Sequence, residues 1–291
     1  MTLLRNGKTR WTGGVAIAVF ALLGAMGSAP ALAGIASTKH NLGSTGTGVN
    51  KFDGTGEICV FCHTPHGADT SAAVPLWNRK LGDPATYQTY NSLGTSSLDG
   101  ATAPVGSVSL ACLSCHDGTQ AMNVMINQPG SGGYNAAGVA MLGNWTGANQ
   151  TAGVIGSGLI TNIGTDLRND HPVGIQYGGG PKAGTVPAAG TAYGSSLFRD
   201  ADFNPTSSTT LNGNAVWWVD TPTVGVVGAR EKTDMQLYTR TGVTGLGAAG
   251  VLAGAQPFVE CASCHDPHTD NPVFLRVQNT GSAVCLACHI K

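Results

Sequence analysis

Charge is scarce in this chain: 15 Lys and Arg and 16 Asp and Glu make up 11% of 291 residues. No basic tract stands out, so neither a nucleic-acid backbone nor an anionic membrane surface has its electrostatic footprint here. No Ser/His/Asp set, phosphate-binding glycine loop or acid–base pair is apparent, and the expectation is a protein that is not an enzyme. After residue 33 no apolar run approaches the roughly 20 residues that a spanning helix needs. The shortage of charge does not make the chain disordered, because 42% of it is hydrophobic, too much for a chain unable to build a core. Its 43 glycines argue against a helical bundle, since each glycine weakens a helix interior. What remains is an ordered, loop-rich protein.

The first residues read differently from the rest. Arg5, Lys8 and Arg10 precede an apolar stretch from Gly14 to Gly27, and Ala31-Leu32-Ala33 supplies a small-x-small cleavage pattern. This is the layout of a secretory signal peptide over residues 1–33, too short for a membrane anchor. Cleavage after Ala33 leaves residues 34–291 with a formal charge of −4, since the leader removes three of the 15 basic residues. The expected location is extracellular, at the cell surface or in the periplasm, with no membrane span after cleavage.

No cysteine lies outside a C-x-x-C pair. The eight are Cys59/Cys62, Cys112/Cys115, Cys261/Cys264 and Cys285/Cys288, and a histidine follows each pair: His63, His116, His265 and His289. C-x-x-C-H is the attachment motif of c-type haem. Two thiols three positions apart reach the two vinyl groups of one porphyrin, and the adjacent imidazole ligates its iron. Disulfides do not require a histidine after each pair. Zinc knuckles usually come two together, whereas the first two pairs here lie far apart. Four motifs that use every cysteine predict four covalently bound haem c groups.

Four histidines remain for four irons: His40, His66, His171 and His268. The count predicts a histidine on the distal side of every iron, hence low potential, because methionine ligation is what raises it. His66 and His268 sit in C-H-x-P-H connectors, three residues after a proximal histidine. A side chain that close cannot wrap to the far face of its own haem and must serve another. For His268 the candidate is the haem of Cys285/Cys288. For His66 the candidates are the haem of Cys112/Cys115 and a haem of a neighbouring copy. His171 lies in Asn169-Asp170-His171-Pro172, and His40 lies in what would otherwise be a loose N-terminal arm.

These segments, together with Pro75-Leu76-Trp77-Asn78-Arg79 and Asp170-His171-Pro172-Val173-Gly174, resemble multihaem cytochromes with doubled C-x-x-C-H motifs exported by metal-reducing bacteria. Within that group the chain looks most like the OmcE-type tetrahaem cytochromes, which polymerise into extracellular nanowires. The resemblance covers residues 39–123, 170–174 and 260–291. It implies electron transfer to other redox proteins and extracellular acceptors, and a homopolymer in which a distal histidine, His66 before His40, is donated in trans. A monomeric periplasmic shuttle and a multihaem reductase with one open haem are the competing expectations.

Residues 124–259 hold no cysteine and one histidine, with short β-branched or aromatic bursts such as Ala215–Val219 and Val224–Val227 between glycines. Bursts of this kind predict short strands or hairpins. The fold expected for 34–291 is a single, mostly irregular domain with few short helices and β-hairpins, wrapped around a four-haem core. Trp77, Trp145, Trp217 and Trp218 are expected to cover core or haem edges.

Overall fold

Glycine and proline cut the chain into short elements, and a computed structural model places them. It describes residues 34–290 apart from positions 72, 131, 171, 183–190, 223–225 and 244–253. The expected signal peptide, His171 and part of the Val224–Val227 burst therefore lie outside the described residues.

The N-terminal half is built from ribbons. Strand β1 (Lys51–Phe52) pairs with β4 (Trp145–Thr146), β2 (Val124–Asn127) with β3 (Tyr134–Ala140), and β5 (Gln150–Thr151) with β6 (Val154–Ile155). Around β1 and β2, Phe52, Val60, Phe61, Met125 and Met141 form a small buried cluster.

The stretch expected to be mostly loop holds the largest regular feature. Strands β7 (Ile175–Gln176), β8 (Ser207–Leu211), β9 (Asn214–Val219), β10 (Met235–Arg240) and β11 (Gln256–Val259) form one antiparallel sheet, in the order β7-β11-β10-β9-β8. The β8–β9 hairpin turns on Asn212-Gly213, both at positive φ (49° and 79°), the pairing that matches the twist of a two-residue hairpin. Trp217 and Trp218 lie in β9 and are buried, as is Trp77, while Trp145 is half-buried. Trp217, Val219, Met235 and Leu237 pack with Tyr177, Tyr193 and Phe198 into a core of the sheet's own. Each large side chain buried there stabilises the fold by about 1.5–3 kcal/mol. The expectation of a core made by cofactors alone does not extend to this sheet.

Three helices carry attachment motifs: α1 (Ser107–His116), α2 (Cys261–Cys264) and α3 (Ala283–Leu286). The sheet positions the first two. Strand β11 runs directly into α2, with only Glu260 between them. The strap leading to α1 is pinned to the same edge: Gln176 N–H donates to Ala101 O at 2.9 Å, and Ala103 N–H to Gly174 O at 2.7 Å.

Candidate functional site

All four C-x-x-C-H segments adopt a helical turn. The N–H of each histidine that ends segments one, three and four donates to the carbonyl of the first cysteine: His63 to Cys59 at 2.8 Å, His265 to Cys261 at 3.1 Å and His289 to Cys285 at 3.0 Å. The second segment, with Cys112, Cys115 and His116, lies within α1. Residues three and four apart share a helix face, so both thiols and the histidine of each motif project to one side. All eight cysteines are free thiols.

Three of the proximal rings are oriented by a backbone carbonyl. Nδ1 of His63 meets Pro75 O at 2.8 Å, that of His116 meets Thr161 O at 2.8 Å, and that of His265 meets Val273 O at 2.9 Å. A neutral imidazole that donates through Nδ1–H keeps the Nε2 lone pair for a metal, the usual arrangement behind a ligating histidine.

The carbonyls that do this belong to a structure used twice. After each C-H-x-P-H connector the chain returns as an extended arm. In the first arm Thr64 N–H donates to Leu76 O and Asn78 N–H to Cys62 O; in the second Asp266 N–H donates to Phe274 O and Arg276 N–H to Cys264 O. Asn78 Nδ2 then reaches Val60 O at 2.7 Å, and Arg276 Nε reaches Ala262 O at 3.0 Å, the same carbonyl of each motif. Leu76 and Phe274 occupy the same place, and both carry a positive φ, 55° and 60°. The arms differ in the length of the loop before them, and Pro75…Arg79 and Pro272…Arg276 match in sequence one residue out of step with the structural match.

The arms also clamp the motifs to each other. Arg79 is fully buried, and its guanidinium donates to Ser114 Oγ and O, Met122 O, Val124 O, Gln120 Oε1 and Ala121 O. Ser114 lies inside the second motif. Between motifs two and three, buried Glu260 accepts from Ser109 Oγ and from Arg240, whose Nη2 lies 2.6 Å away, and Ser109 Oγ accepts from Cys261 N–H. Burial raises the Glu260 pKa, and Arg240 opposes the shift.

The two thiols of the second motif, on one face of α1, also lie beside thiols of other motifs. Cys112 hydrogen-bonds Cys261 of motif three, which raises the Cys112 pKa and lowers that of Cys261. Cys115, half-buried one helical turn further along α1, lies close enough to Cys62 of motif one to act on it. Burial first, and then the Cys115 thiol, pushes the Cys62 pKa up to about 12. The physical reason is the packing of α1, which sets its cysteine-bearing face between two other motifs. At the far end of the chain, burial and then the nearby Cys264 push the Cys288 thiol up to about 12. The third motif is thus a hub that touches the second and the fourth.

It also touches the first. The ring of His268, in the third motif's connector, stacks on His63 with centroids 6.1 Å apart and planes 14° apart. The short loop to motif four made the haem of Cys285/Cys288 its candidate; the structure places its ring beside His63. In the same way His40 faces His116 at 6.2 Å, with planes 71° apart. Burial first, and then His116, lowers the His40 pKa to about 4, which keeps the imidazole neutral and able to ligate. Two imidazoles on opposite faces of one metal, each bonded at about 2 Å, have ring centres about 6 Å apart. Both pairs meet that spacing. Among the described residues no three His, Cys, Asp or Glu side chains gather as a metal cluster. Pairs of imidazoles suit a porphyrin, which itself supplies four nitrogens and needs only two more ligands.

Among the described residues, His66 and His289 are not seen in an imidazole couple. His66 is exposed. Its backbone is fixed by hydrogen bonds with Thr64 Oγ1 and from Asn127 Nδ2. Among the described residues no imidazole partner meets its ring. His289 packs against Phe203, with centroids 4.3 Å apart. Sequence reasoning missed the Asn78–Arg79 clamp, the Glu260 node and the return arms. The recurring Pro…Arg spacing was the signal for the arms.

A family model described as "Doubled CXXCH motif" matches residues 255–291, which contain motifs three and four. No curated protein matches the chain. The chain therefore carries a doubled motif for covalent attachment of c-type haem, the equipment of an electron-transfer cytochrome.

Proposed function

We propose that this protein is a tetrahaem electron-transfer cytochrome with histidine on both faces of its irons, and that it polymerises by donating His66 to a neighbouring copy. The observation that carries the reading is the pair of imidazole couples at 6.1 and 6.2 Å, His63 with His268 and His40 with His116. Bound haem supplies the reversible one-electron couple; the protein supplies ligands, spacing and exclusion of water. The cysteines of each motif anchor one porphyrin, and the adjacent histidine binds one face. Pro75 O, Thr161 O and Val273 O hold three of these rings in the tautomer that presents Nε2. His268 and His40 would supply the second protein ligands of the first two haems, which would leave those two irons no position for a substrate. This favours transfer of electrons over turnover of a small molecule, with redox proteins and extracellular acceptors as partners.

The assembly part of the proposal rests on His66. Its backbone is fixed while its ring is exposed, and both His40 and His268 have imidazole partners within the chain. A ligand given head-to-tail is a heterologous contact, and such contacts build open filaments when the rotation does not close. This is also what the nanowire resemblance implies. The test is His66→Ala, examined by electron microscopy and absorption spectroscopy. Loss of filaments with one haem turned high-spin is expected. Unimpaired filaments with an all-low-spin spectrum would overturn donation in trans and leave the cytochrome reading standing.

A further inference from the structure

The two imidazole couples are not alike, and the difference is in what fixes each ring. His63 and His116 are held by Nδ1 contacts to Pro75 O and Thr161 O, and Nδ1 of His268 lies 3.3 Å from Asp266 Oδ1. The Nδ1 of His40 is buried without such a carbonyl or carboxylate contact, and the polar neighbour of its ring is the backbone of Pro267. The ring lies instead flat on Phe274, centroids 4.1 Å and planes 17° apart.

Phe274 is placed there at some cost. Val273 and Phe274 are consecutive residues at positive φ, 48° and 60°, a strained region that side chains with a Cβ seldom occupy. The twist does two things at once. It turns Val273 O onto Nδ1 of His265 at 2.9 Å, and it lays the next ring, Phe274, on His40.

We infer that Phe274 is a positioning residue that sets the plane of His40 across that of His116, so that the His40–His116 site is electronically distinct from the near-parallel His63–His268 site. The inference rests on the proposed reading that each couple shares one iron. When two ligand planes are parallel, both imidazoles donate π density into the same iron d orbital and split the d set strongly. When they are crossed, each donates into a different orbital and the two stay nearly degenerate. A ferric ion keeps its d-shell hole in the raised orbital, so parallel planes stabilise the ferric form and crossed planes do so less. The His40–His116 iron is therefore the easier of the two to reduce. Axial geometry thus joins ligand identity among the protein's controls on potential.

The experiment is electron paramagnetic resonance of the haem-loaded ferric protein, wild type against Phe274→Leu, Phe274→Tyr and His40→Ala. Leucine is a fair replacement because Leu76 holds the equivalent place in the first arm at a similar φ of 55°. Wild type is expected to give both the resolved rhombic signal of a parallel couple and the broad, strongly anisotropic signal of a crossed one. F274Y keeps the stack and both signals. F274L keeps every haem low-spin, moves the anisotropic signal toward the rhombic one and shifts one midpoint potential downward. If F274L leaves the anisotropic signal in place, another contact such as the nearby Pro267 carbonyl sets the plane and the inference fails. It also fails if F274L turns a haem high-spin, since Phe274 is then needed for ligation itself. H40A separates these failures from failure of the underlying reading: an all-low-spin H40A protein would show that His40 is not a ligand at all.

Discussion

Arg79 is the residue on which the first two motifs most depend. A buried guanidinium keeps its charge, and among the described residues this one meets carbonyls, a hydroxyl and a side-chain amide oxygen rather than a carboxylate. Six acceptors spread over residues 114–124 are satisfied at once, and removing the donor strands them in the interior at a cost of about 1–3 kcal/mol for each one left bare. Arg79→Met is expected to destabilise the haem-loaded protein by about 3 kcal/mol or more, read as a lower denaturant midpoint. Arg79→Lys should recover little of this, because a point charge with three donors cannot cover a planar fork's acceptors. Full recovery with lysine would show that charge alone matters there. The neighbouring Asn78 acts on the first motif in parallel, through Val60 O and through Asn127, whose N–H it accepts and whose carbonyl it meets at 2.9 Å.

Among elements, the junction of α1 with α2 holds motifs two and three together. Glu260 is the N-cap of α2, forms a capping box with Ser263, and binds Arg240 from β10 and Ser109 from α1. Glu260→Gln leaves Arg240, only 17% exposed at its side chain, without its counter-charge. The expected loss is about 2 kcal/mol, or a fall in Tm of roughly 4–8 °C for a chain of this size. Combined with Ser109→Ala, the losses should fall short of their sum, because the two residues act as one node. Strict additivity in a double-mutant cycle would separate them.

Elements are also where the sequence was least legible. Motifs are local, so Cys59 to His63 and its three counterparts could be read directly, as could the connectors holding His66 and His268. The Ala215–Val219 burst pointed to a strand or hairpin. Its growth into five strands depends on pairings such as Tyr238 with Phe258 and Phe258 with Gln176, which no local pattern encodes. The nearness of His268 to His63 was illegible for a related reason. Nearness in sequence pointed to the fourth motif, whereas the return arm carries the connector to the first. The nearness of Cys115 to Cys62, 53 residues away in the chain, likewise arises only through the packing of α1 and could not be read from spacing. Phe274 could not be recognised at all, since its role follows from a backbone twist that its residue type opposes.

At the scale of the whole molecule, the count of motifs makes a prediction that the matched stretch does not. The family match covers residues 255–291, and two further C-x-x-C-H motifs lie outside it. On the proposed reading all four are loaded. Intact mass and haem-to-protein ratio should give four covalent haems for the wild type and three for a chain with Cys285 and Cys288 both changed to serine. A wild-type count of two would confine attachment to the C-terminal pair and remove the tetrahaem proposal.

The contact between His63 and His268 has a consequence in time. Synthesis runs from the N-terminus, and His268 follows His63 by 205 residues. On the proposed reading, the first site to be made is among the last to be closed. A haem attached there before the C-terminal segment had returned would have only His63 as a protein ligand and would be open to small molecules from which the finished protein would shield it. Contacts this distant in sequence are slow to form, because chain entropy is lost before the contact repays it. Maturation would then pass through a vulnerable interval, its length set by how long the C-terminal segment takes to return to the beginning.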